Sequence, residues 1–183
     1  MSITKIADFS LTDFPTDTIY LLDTNVLYFV HSGYYAPTNP KSVAYSNLVQ
    51  SLLTNGRKIV LSVLNIQELL YGIENKEYEL YLRATHQNRN AYTKKDYRKN
   101  AIERVKLHSK MSTVLTELSA AYVCENASVE WTQIKEFVKK LNAHCYDPID
   151  YVLVENYRTK EKIVFISDDK DFQADSTINL ITA

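Results

Sequence analysis

The sequence is poor in the residues that punctuate flexible chains. It has 3 glycines and 4 prolines in 183 residues, which excludes collagen-like and low-complexity chains and leaves little room for long linkers. No apolar run comes near the ~18 residues that read as a membrane span, so no membrane association is expected. Met1 to Phe14 mixes polar and apolar residues and has no signal-peptide core. Two cysteines, Cys124 and Cys145, make no disulfide framework, and neither lies in a CxxC pair. With His144 and the other histidines they show no zinc-ligand spacing. A reducing compartment, the cytoplasm, is the expectation. Net charge is only −1, which hides an uneven distribution of basic and acidic residues along the chain.

What is present fits one ordinary globular domain: 45% hydrophobic and 23% charged residues over a length that supports a sizeable core. Ile19-Tyr20-Leu21-Leu22 is continuously apolar and reads as a strand buried on both faces. Lys58 to Val63 and Ile163 to Ile166 read the same way, and Ile178 to Ile181 as a last short strand. Residues 1–18 read as a lead-in of turns. Helices are expected from about 25 to 31, 41 to 54 and 66 to 74, with 76–88 either continuing the last or standing apart. Further helices are expected over 97–121, over 129–141 behind a Ser128 cap, and from Pro148 to Arg158 behind Asp147. Residues 121–124 end a helix or form an edge strand. Alternating helices and buried strands predict an α/β domain, a parallel sheet of about five strands flanked by helices.

Acids recur where strands end. Asp23 follows the first strand, Glu68 opens the helix after the second, and Asp168, Asp169 and Asp171 follow the third. Asp150 lies in the first turn of the helix from Pro148. The carboxyl edge of a parallel sheet is where ligands bind. Clustered carboxylates repel one another, and a hard divalent cation, Mg²⁺ or Mn²⁺, offsets that repulsion with oxygen ligands alone. Such a set supports phosphodiester hydrolysis. Each acid also has a plain structural role: Asn65-Ile66-Gln67-Glu68 reads as a capping box, and acids suit helix N-termini generally.

Between Arg89 and Lys110 stand eight basic residues against Asp96 and Glu103. Lys94, Lys95, Arg98 and Lys99 are the densest part. A helical basic arm over about 76–121 could grip phosphates, and a solvated helix face is the plainer reading. There are 14 tyrosines, which serve core, rim or base-stacking roles.

The segments LLDTNVLYF, VLSVLNIQELLYG, DPIDYVLVENY and IVFISDDKDF, in that order, resemble the PIN domain from Ile19 to Phe172. PIN domains are metal-dependent nucleases, and many bacterial ones are the ribonuclease toxins of toxin–antitoxin pairs. The resemblance implies a three-layer α/β/α fold and Mg²⁺- or Mn²⁺-dependent RNA cleavage by an activated water. Asp23, Glu68, Asp150 and Asp169 are then the metal ligands and catalytic acids, with Asp171 supporting. Asn25 and Ser167 position backbone, metal water or phosphate. Asp147 competes with Asp150 for the third motif, and Asp168 is an extra acid where the family often has Asn. The resemblance also implies a homodimer and an antitoxin partner. A haloacid-dehalogenase-type phosphatase would need a second Asp where this chain has Asn25. A PIN-like domain without activity, serving as an RNA-binding or protein-interaction module, is the non-enzyme alternative.

Overall fold

The computed structural model describes residues 2–126, 129–141, 146–158, 160 and 162–183. Among them, six strands form one sheet in the order β1-β6-β5-β2-β3-β4, and every pairing is parallel. The strands are β1 (Ile3–Lys5), β2 (Ile19–Leu22), β3 (Lys58–Ser62), β4 (Val123–Glu125), β5 (Ile163–Ile166) and β6 (Leu180–Thr182). The helices are α1 (Thr24–His31), α2 (Pro40–Thr54), α3 (Val63–Thr85), α4 (Lys94–Lys99), α5 (Ala101–Ala121), α6 (Trp131–Lys140), α7 (Pro148–Arg158) and α8 (Lys170–Ala174).

The alternation of strand side chains splits the core in two. On one face Tyr20, Leu22, Ile59, Leu61, Val164 and Ile166 pack against α1, α2, α3 and α5. On the other, Leu21, Val60, Ile163 and Phe165 meet Tyr151, Leu153, Val154 and Tyr157 of α7 and Phe172 of α8. Helices cover both faces, which is why the strands are apolar without interruption. Truncating a fully buried residue such as Leu61 to Ala would cost about 2–5 kcal/mol.

The chain moves outward from β2 through β3 to β4, then returns to place β5 on the other side of β2. Between β2 and β5 the direction of winding reverses, and such a switch point opens a crevice at the carboxyl ends of the strands.

Several elements differ from the sequence expectation. The sheet gains a sixth strand, because Ile3-Thr4-Lys5 pairs with Leu180-Ile181-Thr182 rather than forming only turns. The last strand begins at Leu180, not Ile178. Residues 121–124 do give an edge strand, β4. Helix α3 starts at Val63, capped by the Ser62 hydroxyl accepting from Leu64 N at 3.1 Å. It runs unbroken for 23 residues to His86, whose left-handed φ of 55° ends it, so 76–85 continues the helix. Glu68 is therefore in the second turn, and the Asn65 capping box does not form. The 97–121 helix is divided at Asn100, which caps α5 through its side chain. In α5, Ile102 and Val105 are each 67% exposed, and Leu107, Val114 and Leu118 are buried. Val43 of α2 and Trp131 and Val138 of α6 are likewise exposed. The expected Ser128 cap, His144 and Cys145 lie outside the described residues, and Cys124 is an exposed free thiol.

Candidate active site

Asp23 stands at the switch point. Its backbone N–H continues the sheet by donating to Ile166 O at 3.0 Å, and its side chain caps α1. One carboxylate oxygen accepts from Thr24 N at 2.5 Å. The other accepts from Asn25 Nδ2 at 2.5 Å and from Ser167 Oγ at 2.6 Å. Ser167 is fully buried after β5 and also accepts from Asp169 N at 3.0 Å. Asn25 Oδ1 accepts from Asp168 N at 3.1 Å. The turns after β2 and β5 are thus tied together through Asp23, Asn25 and Ser167.

Glu68 reaches the same place from α3. Thr24 Oγ1 donates to Glu68 Oε2 at 2.6 Å, and Asn65 Nδ2 donates to Thr24 Oγ1 at 3.1 Å. This Asn65–Thr24–Glu68 relay was not foreseen. A start of α3 at Ser62 puts Asn65 and Glu68 on neighbouring turns of one face, and that start was hidden by reading Val63 as strand. Asn65 is 1% exposed, and its Oδ1 has no partner among the described residues.

Asp23, Glu68, Asp150 and Asp169 line one cavity of about 670 Å³. Asp150 comes from α7, although among the described residues no strand immediately precedes it. Asp147 borders the same cavity, but its Oδ1 accepts from Ile149 N at 2.7 Å and Asp150 N at 2.9 Å, so it caps α7. Asp168 also borders it and is bound by Lys41 and by Tyr45 OH, both on α2. Asp171 does not line this cavity. Its N–H donates to Asp169 Oδ1 at 2.9 Å, and its side chain faces a neighbouring cavity with Tyr146 and Arg158.

Burial pushes the Asp23 carboxyl well above the usual carboxylate range; Ser167 and Thr24 oppose the shift, and the charges of Glu68 and Asp169 add to it. Asp150 moves up further, by burial first and then by the charges of Asp23, Asp147, Glu68 and Asp169. Asp171 is raised too, by burial and then by Asp169 and Asp147. Among the described residues no three Asp, Glu, His or Cys side chains stand already gathered as a metal-binding group; Asp23 and Glu68 are both turned to protein donors. The donor chemistry itself, carboxylate oxygen without thiolate or imidazole, fits a hard divalent cation.

The basic run is placed differently from the expectation of an open grip. Arg98 is bound to buried Glu74 by two hydrogen bonds. Lys99 pairs with Asp96 at 3.5 Å, Lys106 with Glu103 at 2.7 Å, and Lys110 with Glu77 at 3.0 Å, while Arg89 pairs with Glu79. Glu74, Glu77 and Glu79 all come from α3; Glu74 fastens α4 to it, Glu77 fastens α5, and Glu79 holds Arg89 of the loop before α4. Lys95 is exposed. Lys94 sits over the Tyr71 ring, 4.2 Å from its centroid, and donates to Asn75 Oδ1. Tyr71 and Asn75 both line the acid cavity.

Known structures share this architecture. VapBC2 from Rickettsia felis, solved bound to a DNA fragment from its promoter, matches with a TM-score of 0.53 at 16% identity, over 90% of this chain and 98% of that one. FitAcB from Neisseria gonorrhoeae matches with a TM-score of 0.51 at 15% identity, over 89% of this chain and 96% of that one. Both are toxin–antitoxin complexes whose toxins are PIN domains. The chain has a PIN-domain fold. No protein-family model and no curated protein matches the sequence. At these identities the likeness concerns the PIN fold alone, so the chemistry must be argued from the residues. No helix among the described residues is long and apolar enough to cross a membrane.

Proposed function

We propose that this chain is a divalent-metal-dependent endoribonuclease that hydrolyses RNA phosphodiester bonds, and that it is the toxin of a toxin–antitoxin pair. One observation carries the enzymatic part: Asp23, Glu68, Asp150 and Asp169 line a single cavity at the switch point of the sheet, where burial and mutual repulsion raise Asp23 and Asp150. Asp23, Glu68, Asp150 and Asp169 would hold Mg²⁺ or Mn²⁺. Bound there, the cation lowers the pKa of a water and neutralises charge on the phosphoryl group.

The surrounding residues set the ligands for that task. Ser167 and Asn25 fix Asp23 from two sides, and Thr24 fixes Glu68. Asp169 is fixed through its own helix cap on α8, with Asp171 two residues on in the first turn. In the phosphatase alternative the residue at position 25 is an acid that shuttles protons. Here Asn25 donates its amide to Asp23, which fits a positioning role.

The antitoxin partner, the RNA substrate and a homodimeric state are parts of this proposal. The PIN toxins of VapBC2 and FitAcB lend support to the first. A cytoplasmic location follows from the same reading.

The test is cleavage of a mixed pool of structured and single-stranded RNA by the purified protein, with Mn²⁺ or with EDTA, beside Asp23→Asn. Expected is cleavage that requires the cation and falls about a thousandfold or more in the variant. Cleavage that survives EDTA or Asp23→Asn overturns the mechanism. Inactivity together with no Mn²⁺ binding in calorimetry favours the module without activity.

A further inference from the structure

The acid cavity has a second wall, and it is aromatic. Glu68, Tyr71, Gly72 and Asn75 share one face of α3 and all line the cavity. From Glu68 to Asn75 the helix rises roughly 10 Å. Along α1, Thr24 and Asn25 at the floor are followed one turn later by Tyr28 and Phe29, and Tyr35 stands in the loop beyond. The cavity therefore grades from carboxylates at the sheet edge to rings at the rim.

Two of those rings face solvent: Tyr71 is 55% exposed and Tyr35 38%. Neither is loose. Tyr35 packs on Phe29, with centroids 4.7 Å apart, and edge-on to Tyr28 at 6.0 Å. Tyr71 carries the Lys94 ammonium over its ring, and Asn75 holds that ammonium. Gly72 keeps the two helices close here, since a Cβ would stand 3.3 Å from the Tyr28 ring. Lys170 lines the cavity as well, while Lys94 reaches its edge only through Tyr71 and Asn75.

We propose that Tyr71 and Tyr35 form a base-stacking subsite, beside the acid floor, that takes an unpaired RNA base and so determines which RNA the site accepts. The proposal rests on the nuclease reading above. A phosphate at the floor leaves an adjoining base at the height of the rings, and a ring stacks on any base without reading its sequence. Lys94 adds a charge that suits the neighbouring phosphate. A paired base, locked in its stack, presents no face to Tyr71.

The test uses Asp23→Asn as a parent that binds without cutting. Fluorescence anisotropy follows a short labelled single-stranded RNA of mixed sequence, the same strand with abasic positions, and the strand annealed to its complement. Tyr71→Ala or Tyr35→Ala should weaken binding of the intact single strand about tenfold, while Tyr71→Phe stays near the parent. Binding of the abasic strand and the duplex should not respond to either alanine change. Equal losses on intact and abasic strands, no loss at all, or no binding of single strands by the parent overturn the subsite. Thermal melting checks that each variant is folded. Cleavage by the unmutated chain is scored separately. A chain that never cleaves but shows the tyrosine dependence removes the nuclease reading and keeps the subsite, and the reverse pattern does the opposite.

Discussion

The acid cavity and the α3–α5 region hold charge in opposite ways. In α3–α5 the charges are many and mostly paired: Arg98 with Glu74, Lys110 with Glu77, Lys106 with Glu103. On the cavity floor Asp23, Glu68, Asp150 and Asp169 stand together, and the partners of Asp23 and Glu68 are neutral donors: Thr24, Asn25 and Ser167. The first arrangement is complete without anything else. The second leaves like charges facing one another, which burial makes unfavourable, and so it calls for a cation. Density of charge along a sequence does not separate these cases; what separates them is whether the fold supplies the opposite sign.

The comparison breaks most severely at the relay that aims Glu68. Thr24→Val keeps the shape and removes the hydroxyl, and should lower kcat/KM for RNA cleavage about 10- to 100-fold, whereas Thr24→Ser should retain most of it. Equal activity in all three proteins would reduce the relay to a helix-packing contact.

A second experiment reads the like-charge repulsion directly. Asp23 and Asp150 have raised carboxyl values in the fold. Their stabilising contribution to the metal-free protein is therefore full below about pH 4, the unfolded value, and is lost as pH rises through the raised folded values. His31 works the other way in part of this range, because burial lowers it and its contribution rises with pH up to about 6.5, the unfolded value, above which it is complete. The difference between the chain and Asp23→Asn cancels His31. Metal-free Asp23→Asn should melt about 2–6 °C higher than the unmutated chain at pH 8 and match it near pH 4. Saturating Mn²⁺ should shrink the gap. A gap independent of pH would assign Asp23 a purely structural role.

The smallest effects belong to the paired region. Arg98→Ala strands the buried Glu74 carboxylate and should cost about 1–2 kcal/mol in denaturant unfolding, with cleavage unchanged at matched folded fraction. Lys99→Ala should stay within about 0.5 kcal/mol, as exposed pairs do. A larger effect of either on RNA binding than on stability would return this region to the role of a phosphate grip.

Much of the fold was legible because strands buried on both faces are written as apolar runs; Ile19–Leu22, Lys58–Ser62 and Ile163–Ile166 needed no other signal. The edge strand Ile3–Lys5 was not, since two of its three residues are exposed and its pairing with β6 is a contact across the whole chain. The buried side of α5 is hard to read for a related reason. Ile102 and Val105 look like core residues, but α5 begins afresh at Asn100 and turns Leu107, Val114 and Leu118 inward. At the site, the carboxylates themselves were visible as acids after strands. The residues that aim them were less so, because Thr24 and Asn65 act through partners 44 and 41 positions away. The pairing of the basic run was legible only in part, because Asp96 and Glu103 lie within it but Glu74, Glu77 and Glu79 lie on α3, earlier in the chain.

Helix α3 is one uninterrupted rod of 23 residues, roughly 35 Å long, and the strand before it has only five residues. Glu68 stands in the second turn of the helix, and its middle is bolted through Glu74 to α4 and through Glu77 to α5. A rod with no break in its hydrogen bonding has no elbow to absorb displacement. Anything that pulls on the far end, a docked protein or a long RNA, either tilts Glu68 as part of a rigid lever or leaves it where it is.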